Sequence, residues 1–231
     1  MIEIKNLEFK YEEAKILSIG SLIINDGDYI AIIGANGCGK TTLAKHLNAL
    51  LMPSYGTVLV DGIPTKEEEK VRRKVGYLFQ NPEDQLINSI VDEDIAFGPE
   101  NEKAQRKHIK KRVHDILDEL GIASLAKRNV NTLSAGQKQL VALAGVLVMH
   151  PSYIVFDEPT TLLDRKNRQM ILEMIKSINQ KRKIGVILVT NNLDDIKDAK
   201  KIVVLKKGSI LFHDEKRKLT GSILKKADLE A

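Results

Sequence analysis

The sequence Tyr29-Ile-Ala-Ile-Ile33-Gly34-Ala-Asn36-Gly37-Cys38-Gly39-Lys40-Thr41-Thr42 is the most informative segment of the chain. Its first five residues are apolar and mostly β-branched, which is typical of a buried strand. Apolar residues then recur at helical spacing from Leu43 to Leu51, and Pro53 is expected to close that helix. Between strand and helix lies the pattern Gly-x4-Gly-Lys-Thr. The segment therefore predicts a strand, a glycine-rich turn and a helix in direct succession.

This pattern and its context are those of a P-loop, which binds the phosphates of a nucleotide. Glycines at 34, 37 and 39 let the backbone turn so that several N–H groups point at one anion, and the helix N-terminus adds its dipole. Lys40 is expected to reach the β- and γ-phosphates, Thr41 to ligate Mg²⁺, and Thr42 to donate to a nearer phosphate. Asn36 and Cys38 complete the loop. For Cys38, a packing role is favoured over a metal or redox role.

A second acidic segment predicts the rest of the metal site. The apolar run Tyr153 to Phe156 ends in Asp157 and Glu158, the form of a Walker B segment. Asp157 is expected to hold Mg²⁺, directly or through water, and Glu158 to orient or deprotonate the attacking water. Together the two segments predict a nucleoside triphosphatase.

The remaining patterns place these segments in an α/β fold. Alternating strands and helices in the last third, with a helix expected over Leu193 to Ala199, imply a mostly parallel sheet covered by helices. The first third reads as strands, and the middle, from about Pro82 to Val148, is rich in helix. Gly98-Pro99 is a turn signal within it.

Composition excludes several other classes of protein. The chain has 231 residues, of which 43% are hydrophobic and 29% charged, as in an ordinary globular domain. No apolar run approaches the ~20 residues of a membrane span, and no secretion signal opens the sequence. The single cysteine excludes an internal disulfide framework. The net charge of +5 is spread among acidic residues, and the basic run from Lys103 to Arg112 is interpreted as a solvated helix face.

The segment Leu133-Ser134-Ala135-Gly136-Gln137 resembles the signature sequence of ATP-binding-cassette (ABC) ATPases. The resemblance implies ATP as the nucleotide and covers nearly the whole chain. By it, 1–231 forms one ABC ATPase domain: a core with an N-terminal antiparallel β subdomain (about 1–80 and 151–231) and an inserted helical subdomain (about 81–150). It also implies that Tyr11 stacks on adenine, that Gln80 in the Q-loop senses the γ-phosphate and contacts Mg²⁺, and that Asp164 lies in the D-loop.

A finer similarity lies in the helical middle. Gln80-Asn-Pro-Glu-Asp-Gln-Leu86 and Asp94-Ile-Ala-Phe-Gly98-Pro99-Glu-Asn101 are similar to the energy-coupling-factor subgroup, which includes cobalt and nickel import ATPases. This resemblance implies an ATP-hydrolysing subunit of a micronutrient importer at the cytoplasmic face of the membrane. Its implied partners are a transmembrane coupling protein, a separate membrane substrate-binding subunit and a second ABC ATPase, which makes a homodimer or a heterodimer. Nucleic acid is not expected as a partner.

In such a dimer the subunits stack head to tail. Each ATP lies between the P-loop of one subunit and Ser134, Ala135, Gly136 and Gln137 of the other. A helix N-terminus bearing Ser134 can complete the cage around the γ-phosphate. Relatives in the subgroup continue into a C-terminal helical segment that assists dimerisation, whereas this chain ends soon after Phe212. Dimerisation is therefore expected to depend less on that segment.

Three positions depart from the family pattern. Asn191 stands where a switch histidine is expected, and it can still hydrogen-bond a γ-phosphate. Ala135 replaces the first glycine of the signature pair, and Leu140 replaces an arginine. These departures keep two alternatives open: a degenerate regulatory subunit of a heterodimeric pair, and a soluble ABC ATPase that acts on nucleic acid or ribosomes.

Overall fold

A computed structural model describes residues 1–229. The strands are β1 (Ile2–Tyr11), β2 (Ala14–Ile24), β3 (Tyr29–Ile33), β4 (Tyr55–Val60), β5 (Ile63–Pro64), β6 (Val75–Leu78), β7 (Tyr153–Asp157), β8 (Gly185–Thr190), β9 (Lys201–Lys206) and β10 (Ser209–Glu215). The helices are α1 (Lys40–Leu47), α2 (Glu68–Lys74), α3 (Val91–Asn101), α4 (Arg106–Glu119), α5 (Ala135–Leu147), α6 (Arg165–Arg182) and α7 (Gly221–Lys226). Across residues 1–229, no helix combines the length and the apolar character that crossing a membrane requires.

The larger sheet has the strand order β10-β9-β3-β8-β7-β6. Neighbouring strands run parallel from β9 to β6, whereas β10 pairs antiparallel with β9. Strands β3, β7 and β8 are buried along their whole length, because both faces of the sheet are covered. The predicted α/β class with a mostly parallel sheet is confirmed.

The register of this sheet brings three functional segments to one edge. Ile33, the last residue of β3, pairs with Thr190 at the end of β8. Asp157, the last residue of β7, pairs with Val189. The chain therefore leaves β3, β7 and β8 at the same carboxyl edge, which is where parallel α/β sheets bind their ligands.

The smaller sheet, with the order β2-β1-β4-β5, is antiparallel and packs on one face of the larger sheet. Ile2 and Ile4 of β1 are fully buried and share a hydrophobic cluster with Ile30 and Ile32 of β3 and with Leu43 of α1. Alternate residues of β3 point to the opposite face of the sheet. The N-terminal antiparallel β subdomain of the predicted fold class is present.

Helices cover the other face of the larger sheet. Helix α5 is buried on nearly every side, since the consecutive residues Leu140 to Ala144 are all buried in a second hydrophobic cluster. Helix α4 packs beside it through Ile109 and the buried residues that follow at helical spacing. Its basic residues, from the run predicted to be a solvated face, are mostly exposed.

The structure corrects one sequence prediction about a helix end and one about a helix type. Helix α1 ends at Leu47, well before Pro53, because Ala49 adopts a left-handed backbone with a φ of 57°. The side-chain amide of the buried Asn48 also donates to the carbonyl of Val75, which fixes the chain at this turn. The predicted helix over Leu193 to Ala199 is a 3-10 helix, Leu193–Asp198.

Gly98-Pro99 lies inside helix α3 and forms no turn. Val91, Ile95 and Pro99 are buried at four-residue spacing on the face of α3 that packs on α5. Three acidic residues in the first turn stabilise the helix, because their negative charges lie at the positive end of its dipole. This packing outweighs the low helix propensity of glycine and proline.

Candidate nucleotide-binding site

The P-loop lies between β3 and α1 and needs glycine at two positions. Gly39 has a φ of 104°, and an added Cβ would lie 2.8 Å from the Cδ2 atom of Leu17. At Gly34 a Cβ would lie 2.5 Å from the backbone oxygen of Leu205. Both positions exclude a larger residue, which leaves the backbone close to any ligand in the loop.

The first turn of α1 offers backbone donors to an anion. Gly39 is the N-cap residue, and no side chain in the described part of the chain caps this helix. The first N–H groups of an α-helix have no partner within the helix, and its dipole favours a negative charge. The turn that begins with Lys40, Thr41 and Thr42 is therefore suited to phosphate oxygens.

Lys40 is held inside the loop by backbone carbonyl groups. Its Nζ atom donates to the carbonyl oxygens of Gly34 at 2.9 Å and Ala35 at 3.3 Å. It also lies 3.9 Å from a carboxylate oxygen of Glu158. Only 5% of the residue is exposed. The ammonium group is thus fixed between the P-loop and the acidic end of β7.

Thr41 and Asp157 form the second part of the site. The Thr41 hydroxyl donates to Oδ1 of Asp157 at 3.0 Å, and the Tyr77 hydroxyl donates to Oδ2 at 2.7 Å. Burial and the Asp157 charge raise the pKa of Tyr77 far above its ordinary value, so the phenol is the donor. Asp157 itself is buried.

The Thr41 and Asp157 oxygens fit Mg²⁺. In residues 1–229, no group of three or more His, Cys, Asp and Glu side chains could hold a metal ion alone. Mg²⁺ is commonly bound by one or two protein oxygens together with substrate phosphates and water. A hydroxyl and a carboxylate beside a phosphate loop supply that donor set.

Glu158 occupies a strained backbone position beside the P-loop. Its φ is 48°, in the left-handed region, and its N–H donates to the carbonyl of Val189 at 2.9 Å. Its Oε2 atom accepts from Nε2 of Gln80 at 3.3 Å and from the Thr161 hydroxyl at 3.2 Å. Backbone strain of this kind is concentrated at functional sites. The carboxylate is therefore oriented by two side chains and by its own backbone.

Asn191 reaches the P-loop from the end of β8. Its side-chain amide donates to Oδ1 of Asn36 at 3.0 Å. The residue in the position of the missing histidine thus contacts the loop directly. The structure brings together Lys40, Thr41 and Asp157 with Glu158 and Gln80, and it places Asn191 at the rim.

Tyr11 and Cys38 differ in their exposure. Tyr11, at the end of β1, is 50% exposed and meets Phe9 edge to face with ring centroids 4.8 Å apart. The exposed ring leaves a surface on which a base can stack. Cys38 is buried, and burial raises the pKa of its thiol, which favours the packing interpretation over a redox role.

The signature residues form a separate helix N-terminus. Ser134 caps α5: its hydroxyl accepts from the N–H of Gln137 at 3.3 Å, and the Gln137 side chain accepts from the N–H of Ser134 at 3.0 Å. Gly136 faces α6, where a Cβ would lie 2.9 Å from the Asn167 side chain. Asp164 caps α6 through the N–H of Asn167 at 2.9 Å.

No hydrogen bond or ion pair between side chains of residues 1–229 joins Ser134 or Asp164 to the P-loop. The signature residues are thus not part of the constellation around Lys40. Leu140, in the position of the expected arginine, is buried in the core with 6% exposure. It contributes to packing and not to an ion pair.

Sequence reasoning missed two residues of the site. Tyr77 lies in an apolar strand, and the only sequence signal is a hydroxyl three residues before Gln80. Asp195 is 2% exposed and accepts from the hydroxyls of Thr160 at 2.8 Å and Thr190 at 3.0 Å. Two neighbouring aspartates follow Leu193, and nothing in the sequence distinguishes the buried one.

Comparisons with known proteins agree with this geometry. The ABC transporter family model matches residues 17–161. The chain is 46% identical over 219 residues to the cobalt import ATP-binding protein CbiO of Syntrophus aciditrophicus, covering 93% of this chain and 78% of that protein. It is 40% identical over 230 residues to the energy-coupling factor transporter ATP-binding protein EcfA1 of Clostridioides difficile, covering 96% and 83%.

Solved structures show the same fold. The structure of cbiO1 from Clostridium perfringens, part of the ABC transporter complex cbiONQ, superposes with a TM-score of 0.88 at 32% identity, covering 99% of this chain and 94% of that one. A dimer of the ATP-binding cassette MJ0796 bound to ADP and Pi gives a TM-score of 0.82 at 29% identity, covering 95% and 100%. With its phosphate loop, acidic strand end and separate signature helix, the chain belongs to the ABC transporter family and is an ATPase of that family.

Proposed function

We propose that this ATPase is the ATP-binding and ATP-hydrolysing subunit of an energy-coupling-factor importer for a micronutrient, a cobalt or nickel ion or a vitamin. The observation that carries the ATPase chemistry is that the P-loop contacts both acidic residues at the end of β7. Lys40 lies beside Glu158, and Thr41 donates to Asp157. The 46% sequence identity to a cobalt import protein, in an alignment that covers 93% of this chain, supports the importer role. The chain would act as a peripheral protein at the cytoplasmic face of the membrane.

Binding of ATP uses groups that are already in place. The adenine ring stacks on the exposed ring of Tyr11, and the phosphates enter the loop from Gly34 to Gly39. Lys40 exchanges its bonds to two backbone carbonyls for bonds to the β- and γ-phosphates. Thr42 donates to a nearer phosphate. This exchange replaces neutral acceptors with charged ones, which form stronger hydrogen bonds.

Thr41, Asp157 and Gln80 are the residues that would hold Mg²⁺, which when bound neutralises charge on the phosphate oxygens. Glu158 accepts a proton from the attacking water and aligns it with the γ-phosphate. Gln80, which donates to Glu158, connects this carboxylate to the segment that leads into the helices. Asn191 exchanges its contact with Asn36 for the γ-phosphate.

The site is completed by a second ABC ATPase subunit. Ser134, Ala135, Gly136 and Gln137 lie at the N-terminus of α5, whose N–H groups and dipole favour a phosphate. Their separation from the P-loop within one chain supports a head-to-tail arrangement, in which each subunit lends its signature to the ATP of the other. The second subunit is a copy of this chain or a related ATPase.

A groove between α3 and α4 is our candidate for the transmembrane coupling protein. Its volume is about 840 Å³, and its lining mixes acidic, basic and apolar side chains. Phe97 in this groove is 39% exposed, and nearby Ile87 is 67% exposed. Exposed apolar side chains in a groove are typical of helix-binding sites. A separate membrane subunit would recognise the solute, and we expect no nucleic-acid partner.

We expect Phe97→Asp to weaken attachment to the membrane complex by about tenfold or more, since it places a charge at the centre of the proposed contact. The tagged chain is purified from its own cell in mild detergent, and the integral membrane proteins that accompany it are quantified by mass spectrometry. Leu211→Asp, at a residue 42% exposed on β10, is the matched control. Equal recovery with both variants would contradict the groove, and recovery of the unmodified chain without membrane proteins would contradict the importer role.

A second candidate function is a regulatory subunit that completes the site of a partner and hydrolyses ATP poorly. Asn191 favours this function, because it contacts the P-loop in the position of the switch histidine. Its amide cannot carry the positive charge of an imidazolium. For a reconstituted heterodimer we expect Lys40→Ala in this chain to remove most of the ATP turnover. A smaller loss than that caused by the corresponding change in the partner would support the regulatory function instead.

A further inference from the structure

Tyr77 is a buried tyrosine that contacts the carboxylate of Asp157 at the oxygen that does not face Thr41. It lies in β6 next to β7, and 6% of it is exposed. Its ring packs on Phe79 with centroids 4.8 Å apart. Its hydroxyl donates to Oδ2 of Asp157 at 2.7 Å. The ring is thus fixed by packing, and the hydroxyl has a single well-defined direction.

The two oxygens of Asp157 have different partners. Oδ1 accepts from Thr41, the proposed Mg²⁺ ligand of the P-loop, and Oδ2 accepts from Tyr77. A carboxylate held at Oδ2 cannot rotate freely, so Oδ1 stays directed at Thr41. Side chains that hydrogen-bond a ligating carboxylate commonly fix its orientation in this way.

A phenol suits this position electrostatically. Asp157 is 5% exposed, and burial of a carboxylate is costly unless its oxygens accept hydrogen bonds. Lysine or arginine would supply them but would also place a positive charge next to a cation site. A neutral hydroxyl donates without repelling Mg²⁺.

We propose that Tyr77 is a positioning residue for the Mg²⁺ that accompanies ATP: it orients Asp157 and does not touch the nucleotide. This inference rests on the proposed role of Asp157 as a metal-binding residue. Removal of the Tyr77 hydroxyl leaves Oδ2 of Asp157 without its donor. The P-loop, Lys40 and Tyr11, on which adenine stacks, are unchanged. Tyr77 therefore affects binding that depends on Mg²⁺ and leaves binding without it unaffected.

The test compares Tyr77→Phe with the unmodified chain in titrations of a fluorescent ATP analogue, with increasing Mg²⁺ and with a chelator. We expect the half-saturating Mg²⁺ concentration to rise by about tenfold, while the affinity without Mg²⁺ stays the same. Tyr153→Phe is the matched control, because it removes a partly buried hydroxyl that bonds Asp26, Asp61 and the N-terminal amine, away from Thr41 and Asp157. Tyr77→Met, also apolar, is expected to reproduce the shift if the first variant folds poorly.

Four results would overturn the inference. An unchanged Mg²⁺ dependence in folded Tyr77→Phe would show that the Tyr77 hydroxyl does not orient Asp157 for Mg²⁺ binding. An equal loss of affinity with and without Mg²⁺, or the same shift in Tyr153→Phe, would reveal a merely structural role. If binding to the unmodified chain does not depend on Mg²⁺, the proposed role of Asp157 fails, and the role of Tyr77 fails with it.

Discussion

Replacement of Glu158 by glutamine is expected to lower ATP turnover in the assembled complex by about 10²- to 10⁴-fold, the usual contribution of a general base. Glutamine has nearly the same shape and keeps an oxygen that can accept from Gln80 and Thr161. It cannot accept a proton from water. The loss should therefore appear in turnover and not in nucleotide binding.

The measurement is phosphate release at saturating ATP and Mg²⁺, with binding of a fluorescent ATP analogue measured on the same preparation. Glu173→Gln, at an exposed position of α6, removes the same charge away from the site and serves as the control. We expect the control to keep full turnover. A Glu158→Gln complex with an unchanged rate would show that another residue activates the water.

The parts of the site that sequence alone predicts are those built from consecutive residues. Gly34 to Thr42 follows a strand and opens a helix, so one segment contains the turn, the donors and the dipole. Asp157 is the last residue of another buried strand, and Glu158 follows it directly. In each case the function depends on local backbone geometry, which a short sequence pattern determines.

Contacts between distant segments could not be predicted in this way. Tyr77 and Asp157 lie 80 positions apart and meet because β6 and β7 are neighbours in the sheet. The strand pattern predicts a parallel sheet but not the order of its strands. Gly98-Pro99 shows the same limitation for a helix, since contacts with α5 stabilise a conformation that the local residues disfavour.

Asp195→Ala is expected to lower the free energy of unfolding by about 3–5 kcal/mol, as happens when one partner of a buried ion pair is removed. Asp195 is buried and accepts from Nε of Arg168 at 2.7 Å, as well as from Thr160 and Thr190. Nη2 of Arg168 is already buried without a partner among the described residues. Loss of the carboxylate would therefore leave a partly buried cation and two buried hydroxyls without their acceptor.

Urea unfolding would measure this loss, with Asp194→Ala as the control. Asp194 is the exposed neighbour, and its replacement should change the free energy of unfolding by no more than about 0.5 kcal/mol. A similar small change for Asp195→Ala would show that the buried network does not stabilise the fold.

A double-mutant cycle separates the charge pair from the rest of the network. In an Arg168→Ala background, Asp195→Ala should be less destabilising by about 1–3 kcal/mol, because no unpaired cation remains. What remains of the effect belongs to Thr160 and Thr190. Thr160 is two residues after Glu158, and Thr190 directly precedes Asn191. Asp195 thus connects the turn after Glu158 to the end of β8. The remaining loss of stability should therefore be accompanied by weaker nucleotide binding. Additive losses in the cycle would show that Arg168 and Asp195 act independently.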